Sequence, residues 1–188
     1  MSVRVAVLCR LAAVAVAFGA FSSCATLTKD ECSSVNWVEL GRSDGAAGQS
    51  RSHIERHRSA CAEHKLPVDE QQWSVGWERG IRLYCTPENG LAQGREGRSY
   101  ANSCPPELKA DFEAAYYVAK NVYDARLSRD RLAVELETLR GQRRDAKTGE
   151  ERRRIDIEID RKRSEVSRAE RRLRDAERDY DRYLFSQR

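Results

Sequence analysis

GRSDGAAG at residues 41–48 and GLAQGREG at residues 90–97 place glycines at the same spacing twice in this chain. In each stretch the second glycine follows the first by four positions, and the third follows by three more. A glycine inside a helix costs about 1 kcal/mol relative to alanine. We therefore expect these glycines where a neighbouring group needs the space that a side chain would fill.

The first stretch is predicted to lie on a helix that begins after Asn36, a residue type that often caps helices. One tryptophan and three glycines then follow at i, i+4, i+8 and i+11, which places them on one helix face: Trp37, Gly41, Gly45 and Gly48. Large rings of a neighbouring helix are expected to cover this face: Trp73, Trp77 and Tyr84. The second stretch is predicted to be either another such strip or a turn-rich loop, and its glycines are Gly90, Gly94 and Gly97.

Two more helices are predicted in the same region. Residues 50–65 read SRSHIERHRSACAEHK and form one of them, and the other begins at a cap residue, Asp69. The latter carries an apolar face at helical spacing: Trp73, Trp77, Gly80, Ile81 and Tyr84. This pattern predicts close packing of helices around the glycines. A phosphate-binding loop is disfavoured because the glycine spacing fits neither the dinucleotide fingerprint nor a P-loop.

Residues 1–23 have the order of a secretory signal peptide. Arg4 and Arg10 precede an apolar run of eleven residues from Leu11 to Phe21. Such a run is too short for a permanent transmembrane helix, which needs about 20 residues. The sequence therefore predicts export across a membrane.

Residues 21–24, FSSC, resemble the lipobox of bacterial lipoproteins, which predicts lipidation of Cys24. Acyl chains on this cysteine would anchor the protein to a membrane, with residues 24–31 as a linker. Ala25 stands where an aspartate would resemble an inner-membrane retention signal, so the outer membrane, with the protein facing the periplasm, is favoured. Phe21 differs from the usual aliphatic residue, which leaves ordinary cleavage without acylation as the alternative.

Four cysteines follow the predicted lipid site: Cys32, Cys61, Cys85 and Cys104. In an exported chain they predict two disulfides, for which three pairings are available. If the first two helices are antiparallel, Cys32 lies near Cys61, and Cys85 is left to pair with Cys104. We expect these bonds to stabilise an α-helical domain over residues 32–106, which is small for a stable core.

Residues 107–188 form a second predicted domain, in which 22 basic and 19 acidic residues are interleaved. Apolar residues occupy eight of ten positions in one heptad pattern, from Leu108 to Leu139, and eight of nine in another, from Ile155 to Tyr183. Both patterns predict coiled-coil seams. Glycines bracket the polar stretch at 141–149, so an antiparallel helical hairpin with its turn there is favoured over one long helix that dimerises.

The overall charge is close to neutral once the signal peptide is removed, with 32 basic and 30 acidic residues remaining. This balance gives no electrostatic case for binding nucleic acid. The predicted contacts are with the membrane, through the N-terminal lipid, and with a protein partner or a second copy of the chain, through the hairpin. Peptidoglycan is the alternative partner of the hairpin.

Residues 32–104 resemble a family of Gram-negative envelope lipoproteins classed as domain of unknown function 2799. The matching segments are WVELGRSDGAAG from Trp37, GWERGIRLYCTPENG from Gly76 and GREGRSYANSC from Gly94, together with Cys61 and Asp69. The resemblance implies export and a cysteine-containing domain. It implies no agreed activity, and it leaves the hairpin unaddressed.

The three histidines and one cysteine fall on one side of the helix predicted over residues 50–65: His53, His57, Cys61 and His64. Histidines at i and i+4 can share a metal ion. One straight helix cannot surround an ion with four ligands, so His53 and His57 with a partner from elsewhere form the candidate site. The favoured interpretation is that Cys61 is oxidised and the histidines are exposed, so that no metal or other cofactor is bound.

Four further residues could in principle form an acid–base site: Asp44, Asp69, Tyr84 and Tyr100. A helix cap at Asp69 and packed tyrosines are the favoured interpretation. The sequence contains no nucleophile and base at a recognisable spacing, so catalysis is not expected. The sequence thus predicts an all-α envelope lipoprotein that acts as a structural or interaction module. A periplasmic metal-binding or small-ligand-binding protein that uses the glycine, tryptophan and histidine residues is the alternative.

Overall fold

A computed structural model describes residues 27–187 of the chain, and within them it contains helices and no β strand. The all-α prediction is confirmed. The α helices are α1 (Lys29–Ser34), α2 (Trp37–Ala46), α3 (Ile54–Ala62), α4 (Glu70–Tyr84), α5 (Pro87–Arg95), α6 (Pro106–Asp145) and α7 (Gly149–Ser186). A short 3-10 helix, Arg51–His53, leads into α3. The predicted signal peptide and Cys24 lie outside the described residues.

Side-chain caps fix where five of these helices begin: α1, α2, α4, α5 and α7. The side chain of Asn36 accepts a hydrogen bond from the Glu39 amide at 3.1 Å, and that of Asp69 accepts one from the Gln72 amide at 3.0 Å. Both caps were predicted, and each satisfies an amide that the first helical turn leaves unpaired. The expected linker over residues 24–31 requires a correction, because α1 begins at Lys29 and Leu27 is already buried in the core.

The helices α2 and α4 run parallel and touch backbone to backbone. A Cβ atom on Gly41 would lie 2.0 Å from the Trp73 carbonyl oxygen, and one on Gly76 would lie 1.9 Å from the Val38 carbonyl oxygen. A Cβ atom on Gly45 would lie 2.4 Å from the Trp77 carbonyl oxygen, and one on Gly80 would lie 2.0 Å from the Arg42 carbonyl oxygen. Each helix therefore supplies two glycines to one reciprocal crossing.

The prediction that aromatic rings cover the glycine face of α2 was wrong for Gly41 and Gly45. The backbone of α4 covers Gly41 and Gly45, while Trp73 and Trp77 stack beside the crossing with their ring centres 6.3 Å apart. Gly48 is not on the helix face at all. It follows the end of α2 with a positive φ of 75°, where its missing side chain leaves room for the Tyr84 ring.

The stretch GLAQGREG forms a second glycine strip, which decides between the two predicted alternatives. Its first two glycines lie in α5, where a Cβ on Gly90 would meet the Phe112 carbonyl oxygen at 2.6 Å and one on Gly94 would meet that of Tyr116 at 2.4 Å. The opposite helix, α6, contributes alanines, Ala115 and Ala119, in place of the glycines of α4. The helices α5 and α6 therefore form a second parallel pair.

The two pairs are equivalent position by position. Gly97 ends α5 with a φ of 68° against the Tyr123 ring, as Gly48 ends α2 against Tyr84. Even the ring hydrogen bonds match: the indole N–H of Trp77 donates to the Gln49 carbonyl at 2.8 Å, and the hydroxyl of Tyr116 donates to the Arg98 carbonyl at 2.7 Å. The equivalent residues are separated by 49 positions between α2 and α5 (Gly41 and Gly90, Gly48 and Gly97), and by 39 between α4 and α6 (Trp73 and Phe112, Trp77 and Tyr116, Tyr84 and Tyr123). The chain thus contains one helix-pair unit twice.

The two disulfides have the pairing that was favoured from the sequence. Cys32 is bonded to Cys61 with Cα atoms 5.6 Å apart, and Cys85 to Cys104 with Cα atoms 5.7 Å apart. Each bond joins the segment before the first helix of a unit to the segment before the second helix. Because the two helices of a unit are parallel, these segments meet at one end of the pair. Closing each loop contributes about 3 kcal/mol in the chain-entropy model.

The helix α6 belongs to both predicted domains. Its first turns place Phe112 and Tyr116 in the same core as the tryptophans of α4, beyond the expected boundary at residue 106. It then continues to Asp145 and passes through Gly141, which does not end the helix. The predicted turn at 141–149 is correspondingly shorter, because α7 begins at Gly149 after the cap Thr148.

The hairpin formed by α6 and α7 uses the predicted seam. Leu136 from α6 is buried with residues of the second heptad pattern: Ile159, Ala169 and Leu173. Lys162 lies between the helices, where its ammonium group donates to Glu135 at 2.8 Å. Hydrogen bonds to Glu135 and then to Glu165 raise the pKa of this lysine. The hairpin is therefore antiparallel, with an apolar seam and a charged surface.

Gly76→Ala is expected to lower the free energy of unfolding by about 3 kcal/mol or more, because the new methyl group would overlap the Val38 carbonyl group and force the helices apart. Gly141→Ala is the matched control, because this half-buried position of α6 has room for a methyl group: the nearest heavy atom would lie 3.7 Å away. That control is expected to stabilise the protein by about 0.5–1 kcal/mol. Urea unfolding measures both values, and equal effects of the two substitutions would contradict the backbone crossing.

Candidate functional site

A cluster of four side chains lies beside the α2–α4 crossing. The carboxylate of Asp44 accepts a hydrogen bond from the indole N–H of Trp73 at 2.8 Å through its Oδ2 atom. The same oxygen lies 2.8 Å from Nε2 of His57, and Oδ1 lies 3.9 Å from Nε2 of His53. A carboxylate, two imidazoles and an indole thus meet at one point of the fold.

Four helices position this cluster: α2, the 3-10 helix, α3 and α4. Asp44 lies in α2 next to Gly45, so the close crossing brings its side chain to Trp73 in the first turns of α4. His53 ends the 3-10 helix and His57 follows one turn later in α3. The disulfide at Cys61 ties the end of α3 to the start of the unit. The cluster is therefore held by the same contacts that hold the first unit together.

The cluster is largely removed from solvent. The side chain of His57 is 3% exposed, and those of Asp44 and His53 are each 13% exposed. Burial lowers the pKa of His53, an effect that the nearby Asp44 carboxylate opposes and that His57 and Arg56 reinforce. The imidazole of His53 is thus biased towards its neutral form, in which a ring nitrogen can accept a proton or bind a metal ion.

The structure supplies the partner that the predicted histidine pair lacked. Among the described residues, Asp44, His53 and His57 can each offer one ligand atom, and these atoms lie within 4.8 Å of one another. The other two residues of the predicted histidine and cysteine group are not part of this arrangement, because Cys61 is in a disulfide and His64 is exposed beyond the end of α3. The expectation that the histidines are exposed was wrong for His53 and His57.

The proposed acid–base set does not come together around Asp44. Asp69 caps α4. Tyr84 stacks on the ring of Phe112 with ring centres 5.2 Å apart, and the Tyr100 ring packs against the same ring at a tilt, 4.8 Å away. The hydroxyl of Tyr100 accepts a hydrogen bond from the Cys104 amide at 3.2 Å. Burial raises the pKa of both tyrosines, which keeps them protonated. Tyr84, which also covers Gly48 of the first unit, and Tyr100 are therefore part of the hydrophobic core that the two units share.

Sequence reasoning missed the contact between Asp44 and Trp73. A signal was present, because an acidic residue stands inside a strip of glycines that packs on a neighbouring helix. The second unit offers a comparison. Gln93 takes the position of Asp44, and Phe112 takes that of Trp73 but has no N–H group in its side chain. Gln93 donates to Asn89 in its own helix at 3.1 Å. The polar cluster is thus specific to the first unit.

Asp44→Ala is expected to lower the free energy of unfolding by about 2 kcal/mol, because the indole N–H of Trp73 and the imidazole of His57 lose a buried acceptor. Gln93→Ala, at the equivalent position of α5, is the control and is expected to change it by about 0.5 kcal/mol or less. Denaturant unfolding compares the two. Equal losses would show that the Asp44 contacts add nothing beyond the helix packing.

A comparison with known protein families matches the part of the chain that holds the two helix-pair units. No curated protein and no solved structure matches the chain. None of the helices between residues 27 and 187 is long and apolar enough to cross a membrane. Residues 36–121 match the family model described as "Protein of unknown function (DUF2799)", a segment that runs from the cap of α2 to the part of α6 that packs on α5. The match covers less than half of the chain, so it is this segment, which holds both helix-pair units, that is similar to the DUF2799 family.

Proposed function

We propose that this protein is an exported envelope lipoprotein that acts as a structural and interaction module. In this proposal a lipid on Cys24 anchors the chain in the outer membrane, facing the periplasm. The two disulfide-bonded units form a base near the membrane, and the α6–α7 hairpin extends from it to contact a protein partner or a second copy. The proposal assigns the chain no catalytic activity.

The hairpin is the observation that carries this proposal. The part of α6 beyond Tyr123 has 22 residues, which extend about 33 Å at 1.5 Å per residue. Antiparallel packing against α7 supports it along this length, with Lys162 and Glu135 paired between the helices. A supported helical arm of this kind places a contact surface far from the base.

The arm carries apolar side chains that its own packing does not use. Leu127 is 58% exposed and Val134 is 66% exposed. They are seven positions apart, which is one heptad, so they lie on one face of α6. Apart from Ile157 of α7, which is 72% exposed, charged residues dominate the rest of the surface of the arm. The pair on α6 shares one helix face, which makes that face the preferred place for a protein contact.

The oxidised state of the base supports export. All four cysteines among the described residues are paired, and disulfides persist in the periplasm but rarely in the cytosol. The signal-like residues 1–23 and the lipobox-like FSSC agree with this compartment. The disulfides also argue against a reactive thiol in the base, because a bonded sulfur atom is neither a nucleophile nor a metal ligand.

The glycine faces offer no groove to the small ligand of the alternative proposal. The face of α2 is covered by the backbone of α4, which leaves no room even for a methyl group on Gly41 or Gly45. The corresponding face of α5 is covered by α6. Metal binding is the part of the alternative that keeps a geometric basis, in the cluster around Asp44.

Lipidation is tested by growing cells with an alkyne analogue of palmitate and detecting the label on the purified protein. We expect the wild type to be labelled and Cys24→Ala to be unlabelled, because this cysteine is the proposed acylation site. Fractionation of the envelope is expected to move the variant from the outer membrane to the soluble periplasm. A wild-type protein without label would contradict the anchoring.

The contact surface is tested by placing a photo-crosslinking amino acid at single positions in living cells. Positions Leu127 and Val134 on the arm are expected to give crosslinked products. Leu83 is the control, because it is also apolar and is 63% exposed but lies on α4 in the base. The mass of the product distinguishes a second copy from another protein. Crosslinks from Leu83 alone would place the contact on the base and overturn the proposed role of the hairpin.

A further inference from the structure

We propose that Asp44, His53 and His57 form a binding site for a divalent transition-metal ion, and that zinc is the ion these ligands fit. Two imidazoles and one carboxylate with a remaining open position are a ligand set that zinc accepts in proteins. The site lies in the base and does not depend on the hairpin or on the proposed lipid. Its test is therefore independent of the proposed function.

The positions of the ligand atoms are close to those that a zinc ion requires. Bonds of about 2.0–2.1 Å in tetrahedral geometry place neighbouring ligand atoms about 3.3 Å apart. The carboxylate oxygens of Asp44 lie 2.8 Å from Nε2 of His57 and 3.9 Å from Nε2 of His53. These two separations need to change by about half an ångström, and because the three ligand atoms all lie within 4.8 Å of one another, side-chain rotations can also bring the two imidazole nitrogens to one ion.

The scaffold holds these ligands before an ion arrives. The two imidazoles are four residues apart, and their ring centres lie 5.0 Å from each other. The Trp73 indole donates to Oδ2 of Asp44 and thereby orients the carboxylate, which leaves Oδ1 directed towards His53. A hydrogen bond of this kind to a ligating carboxylate orients it and strengthens metal binding.

The second helix-pair unit shows that packing does not require this cluster. It has the same glycine crossing, the same terminal glycine and the same type of disulfide, but Gln93 and Phe112 replace Asp44 and Trp73. Its connection between the paired helices, residues 96–105, contains no histidine. The first unit thus has a buried carboxylate between two imidazoles that the second unit folds without. Binding of a cation would explain why the first unit has this cluster.

The site has a path to solvent. Asp44 and His53 each expose 13% of their side chains, whereas His57 forms the inner wall with 3%. An ion can therefore enter past the first two residues, and water can occupy the remaining coordination position. This arrangement predicts a reversible site rather than a closed structural one.

The experiment is a titration of the full chain, with its disulfides intact, with Zn²⁺ by calorimetry. We expect one saturable site with a dissociation constant of about 10 µM or tighter. His53→Ala is expected to weaken binding at least about tenfold. His64→Ala is the matched control, because this histidine is exposed and outside the cluster, and it is expected to bind zinc like the wild type.

Co²⁺ provides a second readout that does not depend on affinity alone. Its ligand-field absorption in the visible range is expected to show a four-coordinate or five-coordinate site in the wild type and in His64→Ala, and to be lost in His53→Ala. The far-UV circular dichroism of each variant shows whether it is folded, and His53→Ala leaves the hydrogen bonds between Asp44, His57 and Trp73 in place. Absence of a saturable site in the wild type, or equal binding by His53→Ala and His64→Ala, would overturn the proposal.

Discussion

The contact of one helix backbone with another, made possible by glycine, is the interaction on which the rest of this structure depends. At Gly41 and Gly76 a single methyl group would overlap a carbonyl oxygen of the opposite helix. Close approach of this kind allows extensive dispersion contacts between the helices, but it tolerates no side chain at the crossing. The glycines of α2 and α4 therefore offset their unfavourable helix propensity through packing that no other residue type permits.

The crossing determines where the chemically active groups lie. Because α2 and α4 are parallel and close, Asp44 reaches the indole of Trp73, and the returning segment brings His53 and His57 to the same carboxylate. In the second unit the equivalent contact holds the first turns of α6 against α5. The remaining length of α6 can then extend with α7 as an arm, so the same packing supports both the cluster and the hairpin.

Much of the fold could be predicted because its signals are local. Caps at Asn36 and Asp69, the apolar face of α4 and the heptad seam depend on residue type and spacing, which the sequence displays directly. The disulfide pairing followed from the order of the helices. Gly141 shows the limit of this reasoning, because a single glycine lowers helix stability without ending a helix that packs along its whole length.

The remaining features depend on which elements meet, and periodicity does not specify that. The pattern identified the glycine face of α2 but not the group that covers it, which is the backbone of α4 rather than its rings. Ala115 and Ala119 gave no signal of a second crossing, because alanine is common in any helix. The cluster around Asp44 joins residues from four helices, with Asp44 and Trp73 29 positions apart, and its ligands became recognisable together only after those helices were placed.

The parallel crossing is tested most directly by nuclear Overhauser effects in the oxidised protein. A Cβ on Gly41 would lie 2.9 Å from the Trp77 amide nitrogen, and one on Gly76 would lie 2.8 Å from that of Arg42. Strong effects are therefore predicted from the Hα protons of each glycine to the amide proton of the opposite helix. Absence of both, with effects from Gly41 to residues near Tyr84 instead, would show an antiparallel pair and contradict the repeated unit.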